Sequence, residues 1–267
     1  MKLRSLAVAL SATFLLAACG GTPAENPGTQ EPSAPTSSAT ETTPAETTPA
    51  EASTADAIVF AAASLNAVFP EIAEAKYSFD GSSGLVDQML GGAPADVFAS
   101  ADQKNMDKAV DAGLIDGDPA LFATNYLVLV TPADNPAGIT GFDASLDGTK
   151  LVICAADVPC GAATLKAAEA NGLTLTPVSE EAKVTDVLGK VTSGEADAGL
   201  VYATDATGAG DAVTVFDVPG AKEDPNTYWI AAVKDAPNAE AAAAFIDAIM
   251  SEEGQSALAG FGFGPAQ

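Results

Sequence analysis

The chain has 267 residues, 11 Lys+Arg against 36 Asp+Glu, a formal net charge of −25, and no His. Without His it has no Ser-His-Asp or Cys-His nucleophile, no imidazole acid or base, and no His-ligated zinc or iron site. The charge also excludes nucleic acid as a partner, because a phosphate backbone demands a basic face.

In chain order, residues 1–18 read as a signal peptide. Lys2 and Arg4 precede an apolar run from Leu6 to Ala18 that is too short to span a bilayer permanently. The run ends in Leu16, Ala17, Ala18 and Cys19, a string that resembles a bacterial lipobox. The implied product carries its acyl chains on Cys19, which places the protein outside the cytoplasm, lipid-anchored to the cell membrane. Residues 20–55 hold no Val, Ile, Leu, Met or aromatic side chain, but six Pro, thirteen Ser/Thr and five Glu. Such a composition cannot offset its ordering entropy, so 19–55 is expected to be a lipidated Cys followed by a disordered tether.

The folded part is expected to run from 56 to 267, with nine Lys, no Arg and 31 acids. A site that grips its ligand with a guanidinium fork therefore cannot be built here. Cys154 and Cys160 remain as a pair in an oxidising compartment and are expected to form a disulfide. The alternative is a metal or redox site with CxxxxxC spacing, which two thiolates without His would fill thinly.

The first expected strand is Ala57 to Ala61, followed by a helix in which Leu65, Val68, Phe69 and Ile72 recur at helical spacing. A loop at Gly81 to Gly84 leads into a helix through Val86, Met89 and Leu90, then a strand at Asp96 to Ser100 and a helix from Asn105 to Ala112. Tyr126 to Thr131 is a β-rich run long enough to cross between lobes. The second set comprises strand Lys150 to Cys154, helices Ala162 to Ala170 and Val184 to Ser193, and strands Ala198 to Tyr202 and Ala212 to Asp217. Strand Tyr228 to Val233 and helices Ala239 to Ile249 and Glu252 to Ala259 close the chain. The alternation predicts an α/β fold of two lobes, each a mostly parallel sheet flanked by helices, with two hinge crossings. Residues 56–124 and 228–267 would form lobe 1, and 125–227 lobe 2.

Ligands in such sheets bind beyond the carboxyl ends of the strands, where helices begin. Three turns there carry small residues: FAAASL (Phe60 to Leu65), GSSGL (Gly81 to Leu85) and DVPCGAAT (Asp157 to Thr164). Singly, each reads as an ordinary N-cap or glycine turn. Together, with no Arg to compete, they suggest an anion held by neutral dipoles.

These segments, with GAPADVFASADQKNMD from Gly92 and GLVYATDA from Gly199, have the order and spacing of the molybdate-binding proteins of ABC transporters. The resemblance covers residues 56–267 and implies the two-lobed type II periplasmic-binding-protein fold. By position it implies that Ser64 and Ser83 donate from the first lobe through side chain and backbone, Cys160 and Val184 through backbone N–H groups, and Tyr202 through its phenol. Cys160 replaces the small residue expected in its turn, and Asp205 is expected to orient the turn or cap a helix rather than meet an anion.

A fully ionised tetrahedral oxyanion offers only acceptors, which a donor-only pocket matches. The expected function is a monomeric solute-binding lipoprotein that captures molybdate, and tungstate too, for an ABC permease and its ATPase. It would not be an enzyme and would need no cofactor or metal cation, molybdenum arriving as molybdate. One alternative is the same fold binding sulfate or another tetrahedral anion. The other is a surface serine hydrolase using Ser64 or Ser83, for which Lys76 and Lys104 have no motif placing them as base.

Overall fold

Short apolar runs separated by amphipathic helices fold into layers, and the computed structural model describes residues 53–266 in that form. The signal segment, Cys19 and nearly all of the tether lie outside the described residues. In chain order, strand β1 (Ile58–Ala62) runs into a 3-10 turn (Ala63–Leu65) and a short helix α1 (Phe69–Ile72). Strand β2 (Lys76–Asp80), helix α2 (Ser82–Leu90), strand β3 (Val97–Ser100), helix α3 (Gln103–Asp111) and strand β4 (Ile115–Asn125) follow. Next come β5 (Leu127–Pro132), β6 (Leu151–Cys154), α4 (Pro159–Ala170), β7 (Ser179–Glu181), α5 (Val184–Thr192), β8 (Ala198–Tyr202), α6 (Ala203–Ala209) and β9 (Val213–Asp217). Strand β10 (Asn226–Val233) and helices α7 (Ala239–Met250) and α8 (Glu252–Gly260) complete the fold.

Two five-stranded sheets result, ordered β2-β1-β3-β10-β4 and β7-β6-β8-β5-β9. In the first, β10 alone runs against its neighbours, and in the second β5 does. The remaining strands of each sheet are parallel, so the mostly parallel α/β expectation holds. The chain passes between sheets at Tyr126, between β4 and β5, and again between β9 and β10. The two passages lie side by side, because Asn226 pairs with Asn125 in register.

Both faces of each sheet are buried, which explains the near-continuous apolar strands. On the first sheet, Val59 and Ala61 of β1 join Phe69, Phe122, Tyr228 and Phe245 on one side, while Phe60 joins Leu85, Phe98 and Met106 on the other. The second sheet repeats this, with Val152 and Val201 facing Val187 and Val191, and Ile153 and Leu200 facing Phe142 and Ala168. Burying each such Leu, Ile or Phe stabilises the fold by about 1.5–3 kcal/mol before entropy is counted. No helix among the described residues is long and apolar enough to cross a membrane.

Several expected elements are revised. The helix anticipated from Leu65 breaks into the 3-10 turn and α1, because Pro70 sits at the start of α1 and supplies no N–H to a continuous ladder. The loop anticipated at Gly81 to Gly84 is instead the first turn of α2, with Gly81 as its N-cap. Strand β4 was not anticipated, since Gly117 and Pro119 interrupt it; it forms on the edge of the sheet, where Pro is tolerated, and its register against β10 slips twice. The edge strands β2 and β7 and helix α6 were likewise missed, their apolar repeats being too short to read.

Candidate functional site

Four helix starts and one strand end meet where the lobes face each other. The 3-10 turn after β1 carries Ser64, the start of α2 carries Gly81 and Ser82, α4 begins at Pro159 and Cys160, and α5 begins at Val184. Tyr202 ends β8. Ser64, Asp80, Gly81, Ser82, Cys160, Val184 and Tyr202 line one cavity of about 10 Å3 at the lobe boundary. Two larger grooves, about 410 and 590 Å3, run along the boundary beside it. Neither gathers the helix starts, so the site belongs to the small cavity.

Of the five residues expected to hold an oxyanion, Ser64, Cys160, Val184 and Tyr202 are brought together here. Ser83 is buried but does not line the cavity; its neighbour Ser82 does. Helix α2 begins at Ser82, inside the stretch anticipated as a loop, and this brings Ser82 onto the lining. Asp80 and Asn226 are the other residues near the site that sequence reasoning passed over, and no motif marks either of them.

The lining is dominated by donors. The amides of a helix's first turn have no intrahelical acceptor, which leaves those of α2, α4 and α5 available at their N-termini. Their dipoles also give the cavity a partial positive potential. Each side chain is anchored from behind. Ser64 Oγ and the Tyr228 hydroxyl are 2.8 Å apart in a buried pair. Ser82 Oγ accepts from the Ala101 amide at 3.0 Å, which leaves the hydroxyl's own proton for a further partner. The Tyr202 oxygen accepts from Asn226 Nδ2 at 3.0 Å.

The Tyr202 phenol is held well above its usual range, by burial first and then by the neighbouring Tyr228, Asp102 and Asp205. It therefore remains a protonated donor. Asp205 accepts from the Tyr202 backbone amide at 3.0 Å and does not line the cavity, as expected of a turn-orienting group. Burial pushes its carboxyl up to about 7. Asp80 is the one carboxylate on the cavity lining, and each of its oxygens accepts one hydrogen bond from its own lobe, from the Gly81 amide at 2.9 Å and Gln88 Nε2 at 3.0 Å.

The second-lobe turn is braced twice. Cys154 and Cys160 are bridged by a disulfide, tying the end of β6 to the first turn of α4. A side chain at Gly161 would come within 1.8 Å of the Ala155 carbonyl oxygen, so only glycine lets the turn pack this closely. Among the described residues no cluster of acidic or Cys side chains could hold a metal ion.

The lobes are shut against each other. A Cβ on Gly81 of the first lobe would lie 2.2 Å from the Ala182 carbonyl oxygen of the second. Asn125 Nδ2 donates to Thr204 Oγ1 at 2.8 Å across the first passage between lobes. Ala63 packs into the apolar cluster of Val158, Cys160, Val184 and Tyr202.

Residues 51–264 match the family described as bacterial extracellular solute-binding protein. The molybdate-binding protein ModA of Mycobacterium tuberculosis is 47% identical over 173 residues, 61% of this chain and 66% of that protein. The match thus spans just under two thirds of that relative's length. The periplasmic molybdate-binding protein of Azotobacter vinelandii superposes with a TM-score of 0.71 at 20% identity, covering 79% of this chain and 100% of that one. The sulfate-binding protein SubI of Mycobacterium tuberculosis shares the fold with a TM-score of 0.61, also at 20% identity, over 79% of this chain and 87% of that one. A match over nearly the whole described region, on two sheets that close over a shared cavity, identifies the chain as a member of the bacterial extracellular solute-binding proteins.

Proposed function

We propose that this protein captures molybdate, and tungstate with it, and presents it to an ABC permease driven by a cytoplasmic ATPase. The observation that carries the reading is the chemistry of the cavity: hydroxyls and helix-start amides converge on it, with neither Arg nor His in the folded part of the chain. A fully ionised tetrahedral oxyanion offers only acceptor oxygens and fits such a lining, whereas hydrogen phosphate brings a proton that needs an acceptor. The likeness to molybdate-binding relatives supports the same ligand. Each hydrogen bond from a neutral donor to the anion is worth about 1.5–3 kcal/mol, so a handful supports sub-micromolar binding after the entropy of association.

At this degree of closure a cavity of about 10 Å3 has room for little more than one water. The anion therefore enters with the lobes parted and is gripped as they close, and contacts made only in the closed form shift the equilibrium toward it. We propose further that Cys19 carries the lipid anchor, that the protein acts as a monomer, and that it requires no cofactor and catalyses no reaction. The SubI likeness keeps sulfate as the second reading, because the fold is shared between ligands and the site must choose.

The test is calorimetric titration of the domain from Asp56 with molybdate, tungstate, sulfate and phosphate in one buffer. One-to-one binding of the first two, with sulfate at least about a hundredfold weaker (about 2.7 kcal/mol), is the expected result. Tight sulfate binding would transfer the site to the second reading, and silence from all four would reject both.

A further inference from the structure

Asn226 opens β10 beside the second passage between the lobes, and its amide nitrogen makes two contacts that together fix a proton elsewhere. Nδ2 lies 3.1 Å from the carbonyl oxygen of Ala101 in the first lobe and 3.0 Å from the hydroxyl of Tyr202 in the second. A carbonyl can only accept, so the end of the amide facing Ala101 must be the NH2 group, and both of its hydrogens are then committed as donors. Tyr202 consequently receives a hydrogen on its oxygen. Its own hydrogen must point elsewhere, into the cavity it lines or toward the adjoining Tyr228, whose ring meets it edge-on at 5.9 Å.

We propose that Asn226 is a positioning residue that turns the Tyr202 proton away from β10 and so leaves it for the bound oxyanion, a stronger acceptor than the Tyr228 phenol, making this wall of the site selective for fully ionised ligands. The inference rests on the oxyanion-binding reading above. Asn226 lines the outer groove rather than the cavity, so it acts through Tyr202 and not on the ligand. Because its two acceptors lie on opposite lobes, the orientation is complete only when the lobes have closed. The donor is then set at the moment the anion is enclosed.

The experiment is a double-mutant cycle on the soluble domain. Asn226→Ala and Asn226→Asp are each made in the natural protein and in a Tyr202→Phe background, with molybdate and phosphate affinities measured by titration. Asn226→Ala should weaken molybdate roughly five- to twentyfold by releasing a preset donor. In the Tyr202→Phe background it should cost no more than about twofold, because the group it positions is gone. Asn226→Asp should weaken molybdate further, since a carboxylate would take the Tyr202 proton for itself. Both variants should narrow the preference for molybdate over phosphate.

A residue that merely holds the lobes together would instead cost the same factor in either background and leave the preference unchanged, and that result overturns the proposal. If Asn226→Ala loses its cooperative unfolding transition, the Asn226→Asp arm decides by the same coupling. Unmodified protein that binds none of the oxyanions would overturn the function and this inference together. Normal binding with uncoupled variants would overturn the inference alone.

Discussion

The two walls of the cavity are built differently. The first lobe contributes side-chain hydroxyls, Ser64 and Ser82, each already engaged by Tyr228 or the Ala101 amide, beside the amides at the start of α2. The second contributes backbone amides at the starts of α4 and α5, where the side chains are Cys160 and Val184 and the turn is held by a disulfide, with the Tyr202 hydroxyl as its one side-chain donor. Where a hydroxyl is the donor, the identity of the residue matters. Where an amide is the donor, only the path of the chain matters, so the first wall should be sensitive to side-chain substitution and the second, Tyr202 apart, tolerant of it.

The harshest way to break the comparison is to keep both walls and prevent them from meeting. Gly81→Ala places a methyl against the Ala182 carbonyl oxygen of the opposite lobe, at a separation of 2.2 Å before relaxation. It should leave each lobe folded but lower molybdate affinity roughly a hundredfold by removing contacts made only on closure. Titration combined with solution scattering would check this, and an unchanged affinity would mean that the lobes do not need this approach.

Next in size is Ser64→Ala on the first wall. Loss of a hydrogen bond to a charged ligand costs about 1.5–3 kcal/mol, roughly 10- to 150-fold in affinity. Tyr228→Phe removes the partner of Ser64, and with it the hydroxyl's bonds to Asn125 and Tyr202, but leaves the serine itself and should cost less; if it costs as much, the serine acts through the tyrosine rather than on the anion.

On the second wall, replacing both Cys154 and Cys160 by Ser retains the amide and should change affinity by no more than about threefold, because the donor survives. Its effect should fall on stability instead, about 2 kcal/mol for so short a loop, read from urea unfolding. A large affinity loss would show that the brace, and not the amide alone, sets the site.

The smallest effect concerns Asp205. Its carboxyl is raised to about 7 from a reference of 3.8. Between those values the native state holds a proton that the unfolded chain has released, so this group's contribution to stability falls as pH rises from about 4 to 7. Asp205→Asn should flatten that slope, and identical slopes in the two proteins would reject the assignment.

Much of this was legible in the sequence because it rests on local chemistry. Ser64 and Cys160 sit where a strand or loop gives way to a helix, and such junctions announce themselves, whereas Val184 was marked as a contact only by the family resemblance. The Gly-Ser-Ser-Gly segment was legible as a place where a helix begins, but not as the helix's own first turn. Both serines suit a helix start, and the long-range hydrogen bond from the Ala101 amide to Ser82 Oγ is a partner that propensity does not reveal. Strand β4 was hidden because its reason for being a strand is β10, more than a hundred residues later. Asn226 was invisible for the same reason, its two partners being 125 and 24 residues away.

That late strand also dictates the sequence of assembly. The second sheet is drawn entirely from the continuous stretch of β5 to β9, so it is complete once Asp217 is available. The first sheet has a gap between β3 and β4 until β10 is inserted, with Trp229 pairing with Ser100 and Ile230 with Ala99. During vectorial synthesis or export the second lobe can therefore fold first, while β3 and β4 wait as unpaired edges exposed to the wrong neighbours. Truncation before Asn226 would leave a finished second lobe joined to an unfinished first one, and a chain with no half-working state.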